Sequence, residues 1–169
     1  MSNSELNKTL EKLSSISFCA RGNSSFKFLS LAHHLNIDFL RDCYNNLDRN
    51  KAVGIDNVSW HEYGSNLEHN LERLVFKLKN KTYKPLPSKR VNIPKGNNEL
   101  RPLGISAIEN KIVESGLTRI LSSIYEADFY DFSYGFRPKK SAHQALKVIG
   151  DSINFKAVNY VVEADIKGF

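Results

Sequence analysis

The chain has 169 residues, 41% hydrophobic and 25% charged, which is the size and mixture of one globular domain rather than of a disordered polymer. Charges or asparagines interrupt every apolar stretch after a few residues, well short of the roughly 20 that a helical membrane span needs, and the opening MSNSELNKTLEKLSS lacks the apolar core of a secretion signal. A cytoplasmic, non-membrane chain is the expectation, with Cys19 and Cys43, too few and too far apart for a metal site or a disulfide framework, as reduced thiols.

The net charge of +6 has one source. Between Arg73 and Pro102 stand nine basic residues and one acid, Glu99, a local charge of +8 that leaves −2 for the remainder. So concentrated a patch suits a polyanion such as nucleic acid or nucleotide phosphate. From charge alone a solvated face that aids solubility fits equally well.

Residues 1 to about 25 read as a short marginal helix and a linker, Arg21-Gly22-Asn23-Ser24-Ser25, forming a flexible N-terminal segment. Two short helices come next, marked by Phe28, Leu31 and Leu35 and then by Phe39, Leu40, Cys43 and Leu47, the second capped by Asn36. Gly54-Ile55-Asp56-Asn57 breaks the pattern, with Trp60 placed to staple the start of its helix. Leu67, Leu71, Leu74, Val75 and Leu78 then fall on one helical stripe that ends at Asn80. Two extended runs, Arg90 to Pro94 and Leu100 to Ile105, flank Lys95-Gly96-Asn97-Asn98-Glu99 and predict a β-hairpin. A proline in each arm bars a central place in a sheet, so the hairpin should project with exposed edges.

A second strong helix carries Ile108, Ile112, Leu117, Ile120, Leu121 and Ile124 inward. After a loop through Tyr134-Gly135-Phe136-Arg137-Pro138, where the two aromatics could stack on bases but are expected rather to pack, Ser141 caps a helix bearing Ala145, Leu146, Val148, Ile149 and Ile153. Val158 to Ile166 reads as a closing strand that sets Glu163 and Asp165 on one face. A carboxylate on such a strand needs a cation, which a Lys, an Arg or magnesium could supply. The five histidines lack zinc spacing.

Five strings, in order, resemble those of the reverse transcriptases encoded by group II introns. Asn50-Lys51-Ala52-Val53-Gly54-Ile55-Asp56-Asn57-Val58 resembles that family's NKAxGxDGV, with Asn57 where the family has Gly. Tyr83-Lys84-Pro85 with Arg90-Val91-Asn92-Ile93-Pro94-Lys95 is similar to its Y-x-P and R-V-x-I-P-K segment, followed by Arg101-Pro102-Leu103-Gly104-Ile105. Ser133 to His143 is similar to its SYGFRPxRSxH, and Ala164-Asp165-Ile166-Lys167-Gly168-Phe169 to the start of its first catalytic motif. The likeness spans residues 26 to 169.

The resemblance implies an α/β (α+β) fold: the fingers of a right-hand polymerase over 26–157 and a first palm strand over 158–169. It implies RNA-directed DNA synthesis, with RNA template, DNA primer and deoxynucleotides as partners and magnesium as cofactor. Asp165 then corresponds to the first catalytic, metal-holding carboxylate. Lys95, Arg101 and Ile166 correspond to residues at the incoming nucleotide, and Arg90, Arg137, Lys139 and Lys140 to contacts with nucleic-acid phosphate. The family's Tyr-x-Asp-Asp carboxylates have no counterpart among these 169 residues, and one ligand does not make a two-metal site. The expectation is an N-terminal portion that does not polymerise by itself, with a separate chain as one source of the remaining palm. A non-catalytic module that holds intron RNA, and an inert remnant of an interrupted gene, are the competing readings.

Overall fold

A computed structural model describes residues 3–23, 25–95 and 99–166. Met1-Ser2, Ser24 of the expected linker, Gly96-Asn97-Asn98 of the expected turn and Lys167-Gly168-Phe169 lie outside the described residues. The chain divides into two compact units, Met1–Ala127 and Asp128–Phe169.

In the first unit, α1 (Asn3–Gly22) is a 20-residue helix packed on α2 (Ile37–Asn45) and α5 (Ile108–Tyr125), where the sequence suggests a short marginal one. Its inward stripe is Leu6, Thr9, Leu13, Ile16 and Ala20, at alternating spacings of three and four. Thr9 and Ala20 are too weakly apolar to advertise that stripe. Thr9 is nonetheless buried, and its hydroxyl accepts a hydrogen bond from the Asn36 amide (2.9 Å). The first of the two expected short helices is a single 3-10 turn, Leu31–His34, and α2 begins where Asn36 accepts from the Phe39 amide at 2.9 Å.

The core joins Phe39, Leu40 and Cys43 of α2, Leu71, Leu74 and Val75 of α4 (Leu67–Lys79), and Ile112, Val113 and Ile120 of α5. Leu117 and Leu121, expected inward, are instead 43% and 46% exposed, and Gly116 takes the inward place. A Cβ at Gly116 would stand 2.8 Å from Leu35. Bare backbone at that point lets the helices approach more closely than leucine would.

The short helix α3 (Trp60–Gly64) is capped by Ser59. Trp60 stacks on Tyr44 with centroids 4.6 Å apart, and the two exchange hydrogen bonds: the Tyr44 hydroxyl donates to Trp60 O and the indole N–H donates to Tyr44 O. After α4 the chain turns through Lys81, left-handed at φ 58°. The Lys81 and Thr82 amides donate back to Leu78 O and Lys77 O, the pattern that usually places Gly where Lys81 stands. Asn57 is left-handed too, at φ 55°. The exchange of Gly for Asn costs little there, because Asn tolerates that region better than other non-glycine residues.

In the second unit, α6 (Ala142–Phe155) opens on a reciprocal cap between Ser141 and Gln144 and buries none of its residues. The closing strand expected over Val158–Ile166 is absent among the described residues, where that segment has no ladder and is exposed throughout. A strand exists only where a neighbour takes its N–H and C=O groups. Within this unit the described residues offer a helix and a loop. None of the described helices is long and apolar enough to cross a membrane.

Candidate nucleic-acid interface

The hairpin consists of β1 (Lys89–Pro94) and β2 (Leu100–Ile105), antiparallel, with Lys89 opposite Ile105, Val91 opposite Leu103 and Ile93 opposite Arg101. The Lys95 amide donates to Glu99 O at 2.8 Å, so hydrogen-bonded pairs fall at the odd-numbered positions. Asn92–Pro102 and Pro94–Leu100 are then non-hydrogen-bonded pairs, whose N–H groups point away from the partner strand. Both prolines therefore cost the ladder nothing. They also remove donors from the outer edges, which keeps other strands from adding there.

Side chains directly opposite one another share a face. One face carries Lys89, Val91, Ile93, Arg101, Leu103 and Ile105, and the same alternation brings Lys95 onto it, diagonal to Arg101 and opposite Glu99. Arg90 stands on the other face with Asn92 and Pro102. The structure thus brings Lys95 and Arg101 together and sets Arg90 apart from them. All three are exposed, and none forms an ion pair among the described residues. Glu99 stands across from Lys95 without closing an ion pair on it, and the exposed guanidinium of Arg101 beside that ammonium can take up phosphate oxygens in bidentate fashion.

The root of the hairpin is held by a residue that sequence reasoning passed over. Asn110 lies on the inward side of α5 and is 5% exposed. Its side-chain oxygen accepts from the Tyr83 hydroxyl (2.8 Å) and the Leu86 amide (3.2 Å), and its amide donates to Leu86 O (2.8 Å). One side chain satisfies both backbone groups of Leu86 and fastens the Pro85-bearing strap that leads into β1. The signal available in the sequence was an asparagine among the isoleucines of an apolar stripe. Burial, reinforced by Glu109 and Glu114, pushes the Tyr83 phenol up to about 12, so it serves as a neutral donor to Asn110.

In the second unit, the guanidinium of Arg137 donates to Tyr130 O (2.7 Å) and Ser133 O (3.0 Å) and lies 5.0 Å from the Phe129 ring centroid. Lys140 donates to Asp131 O at 2.9 Å and sits 5.0 Å from the centroid of the Tyr134 ring. Both close their own loop, which holds Phe136 and Lys139 at left-handed φ of 55° and 60°. Such conformations persist in non-glycine residues where surrounding bonds over-determine them. Lys139 is exposed. Phe136, expected to pack, is fully exposed, and Tyr130 and Phe132 stack on each other in the open with centroids 5.1 Å apart. Sequence reading missed that pair, whose only trace is the alternation of two aromatics around Asp131. Open aromatic faces beside cations can stack on unpaired bases.

Asp165 and Ile166 are exposed, and the Asp165 carboxylate accepts from the Ile166 amide at 2.9 Å. No group of three His, Cys, Asp or Glu side chains able to hold a metal occurs among the described residues. Asp165 by itself therefore does not fit a magnesium centre, and no step through a metal is assigned to the described residues.

No family model matches the chain. It is 35% identical over 162 residues to the group II intron-encoded protein LtrA of Lactococcus lactis subsp. cremoris, which covers 95% of this chain and 27% of that protein. Protein YkfC of Escherichia coli is 41% identical over 96 residues, 57% of this chain and 25% of the relative. An uncharacterised 91 kDa protein in a cob intron of Schizosaccharomyces pombe is 32% identical over 133 residues, 79% of this chain and 16% of the relative. The chain spans about a quarter or less of the length of these relatives.

Proposed function

We propose that this chain, which belongs to the group II intron-encoded proteins, serves as the part of an RNA-directed DNA polymerase that grips RNA and the phosphates of the incoming nucleotide. The observation that carries the reading is the hairpin face on which Lys95 and Arg101 stand diagonally without an ion-pair partner among the described residues, on a root fastened by Asn110. Arg90 on the opposite face is a second phosphate contact, and Lys139 with Phe136 and the Tyr130–Phe132 pair is a stacking surface for an unpaired strand. Asp165 and Ile166 belong to a catalytic, magnesium-dependent centre with a DNA primer only if further carboxylates join them, in this chain's company or from a separate chain. The 169 residues alone are assigned binding, not synthesis.

Salt-resolved filter binding tests this. Affinity for structured RNA should fall linearly with salt on a log–log plot, and replacing both Lys95 and Arg101 with alanine should lower the slope by about one to two. An unchanged slope would remove the hairpin from the interface. In a primer-extension assay the purified chain should make no DNA, and magnesium-dependent product would overturn the assignment of binding alone.

A further inference from the structure

The basic run holds cations that the hairpin does not use. From Arg73 to Asn98 the chain contains no acid, and five cations of that run, Arg73, Lys77, Lys79, Lys81 and Lys84, precede the hairpin. Glu109 engages Lys77 at 3.1 Å. The other four are exposed and have no ion-pair partner among the described residues. Lysines in a last helical turn commonly do no more than face the negative helix end, which accounts for Lys77 and Lys79. It does not account for Arg73, nearly two turns before the end of α4, for Lys81, beyond that end, or for Lys84 on the strap.

Two features of this face call for a ligand. The first is Phe76, 67% exposed on the side of α4 turned away from the core residues Leu71, Leu74 and Val75. Residues three and four apart on a helix are neighbours, so the ring has Glu72 and Arg73 one turn back and Lys79 and Asn80 one turn on. Counting Glu72 against the four unpaired cations leaves a surplus of three positive charges. The second feature is Lys81. Its backbone is left-handed at φ 58°, where glycine would be unstrained, and its ammonium closes no ion pair among the described residues. Nothing inside the fold answers for a lysine there, and strain kept without an internal partner is characteristic of a residue that serves binding. Cations around an open aromatic ring match a chain of phosphates whose bases are free to leave their own stack, which is what a single strand offers. A duplex offers the phosphates alone.

We infer that the outward face of α4 and the turn after it form a second RNA contact, separate from the hairpin face. It holds an unpaired stretch of the strand, with phosphates at Arg73, Lys79, Lys81 and Lys84 and a base against Phe76. Lys81 occupies a position where glycine would stabilise the fold because its charge serves the strand.

Lys81→Gly distinguishes this role from a structural one, since stability and binding should move in opposite directions. Relief of the left-handed strain should raise the unfolding midpoint by roughly 2–5 °C. In salt-resolved filter binding of single-stranded RNA, the log–log slope should become shallower by about 0.7. The triple variant Lys79→Gln, Lys81→Gly, Lys84→Gln should make it shallower by about two. Phe76→Ala, at an exposed helical position, should weaken the single strand about tenfold and leave duplex RNA of the same length unchanged. The inference is overturned if the parent chain does not bind single-stranded RNA, or if the triple variant keeps the parent slope. It is equally overturned if Phe76→Ala spares the single strand or weakens both forms alike. Polyglutamate that displaces the RNA at equal charge would assign the face to an acidic protein and overturn the assignment to RNA. The hairpin is tested apart from this face: with Lys95 and Arg101 already replaced by alanine, the triple variant should flatten the slope by the same further amount of about two. A Lys95/Arg101 variant that binds like the parent would remove the hairpin and leave the α4 contact standing.

Discussion

Replacing Gly54 with alanine tests why the chain breaks there. Gly54 is buried, and a Cβ on it would stand 2.5 Å from Ala107 Cα, 2.7 Å from Ala107 N and 3.1 Å from Ser106 C. Ordinary carbon contacts lie at about 3.5–4.0 Å, so roughly an ångström of relief is needed. All three atoms are backbone and cannot rotate aside. The segment that must move joins β2 to α5, where Ala107 is fully buried and Ile108 is 5% exposed. Overpacking of this kind costs typically about 1–3 kcal/mol, and the backbone origin of the clash puts Gly54→Ala near the top, about 2–3 kcal/mol. For a unit of the size of Met1–Ala127 that corresponds to a thermal midpoint lower by roughly 6–15 °C, taking three to five degrees per kcal/mol. Differential scanning calorimetry of Gly54→Ala beside Gly135→Ala reads the effect, because a Cβ at Gly135 meets nothing within 4 Å. Equal midpoints for the two variants would show that the close approach of Gly54 to Ala107 does not constrain this junction.

Asn110→Ala removes the bonds to the Tyr83 hydroxyl and to both backbone groups of Leu86. It should cost about 2–3 kcal/mol and accelerate hydrogen exchange at the Leu86 amide, whereas unaltered protection there would detach the strap from α5. The imidazole of buried His34 is lowered below its ordinary value by desolvation, with His33 and Lys12 adding to it. The unfolded chain then takes up the proton first on acidification, so the contribution is complete above the unfolded value near 6.5 and is lost as pH falls below it. Urea midpoints measured between about pH 7 and pH 5 should therefore decline less in His34→Gln than in the parent chain, and parallel declines would mean that His34 is not the group responsible.

Periodicity, caps and turns are local properties, and the chain wrote them legibly. The stripe of α4, the Asn36 and Ser141 caps and the Lys95/Arg101 hairpin follow from spacing and from two prolines placed where no ladder bond was needed. The family follows from the order of short strings. What spacing could not reveal depends on neighbours distant in sequence. The α1 stripe is recognisable only once Thr9 meets Asn36, and Gly54 is required by the backbone of Ala107 rather than by its own torsion angles. Asn110 becomes a fastening only where separate segments converge. Val158–Ile166 has the composition of a strand and no ladder, because alternation prepares a strand and a hydrogen-bonding neighbour makes one.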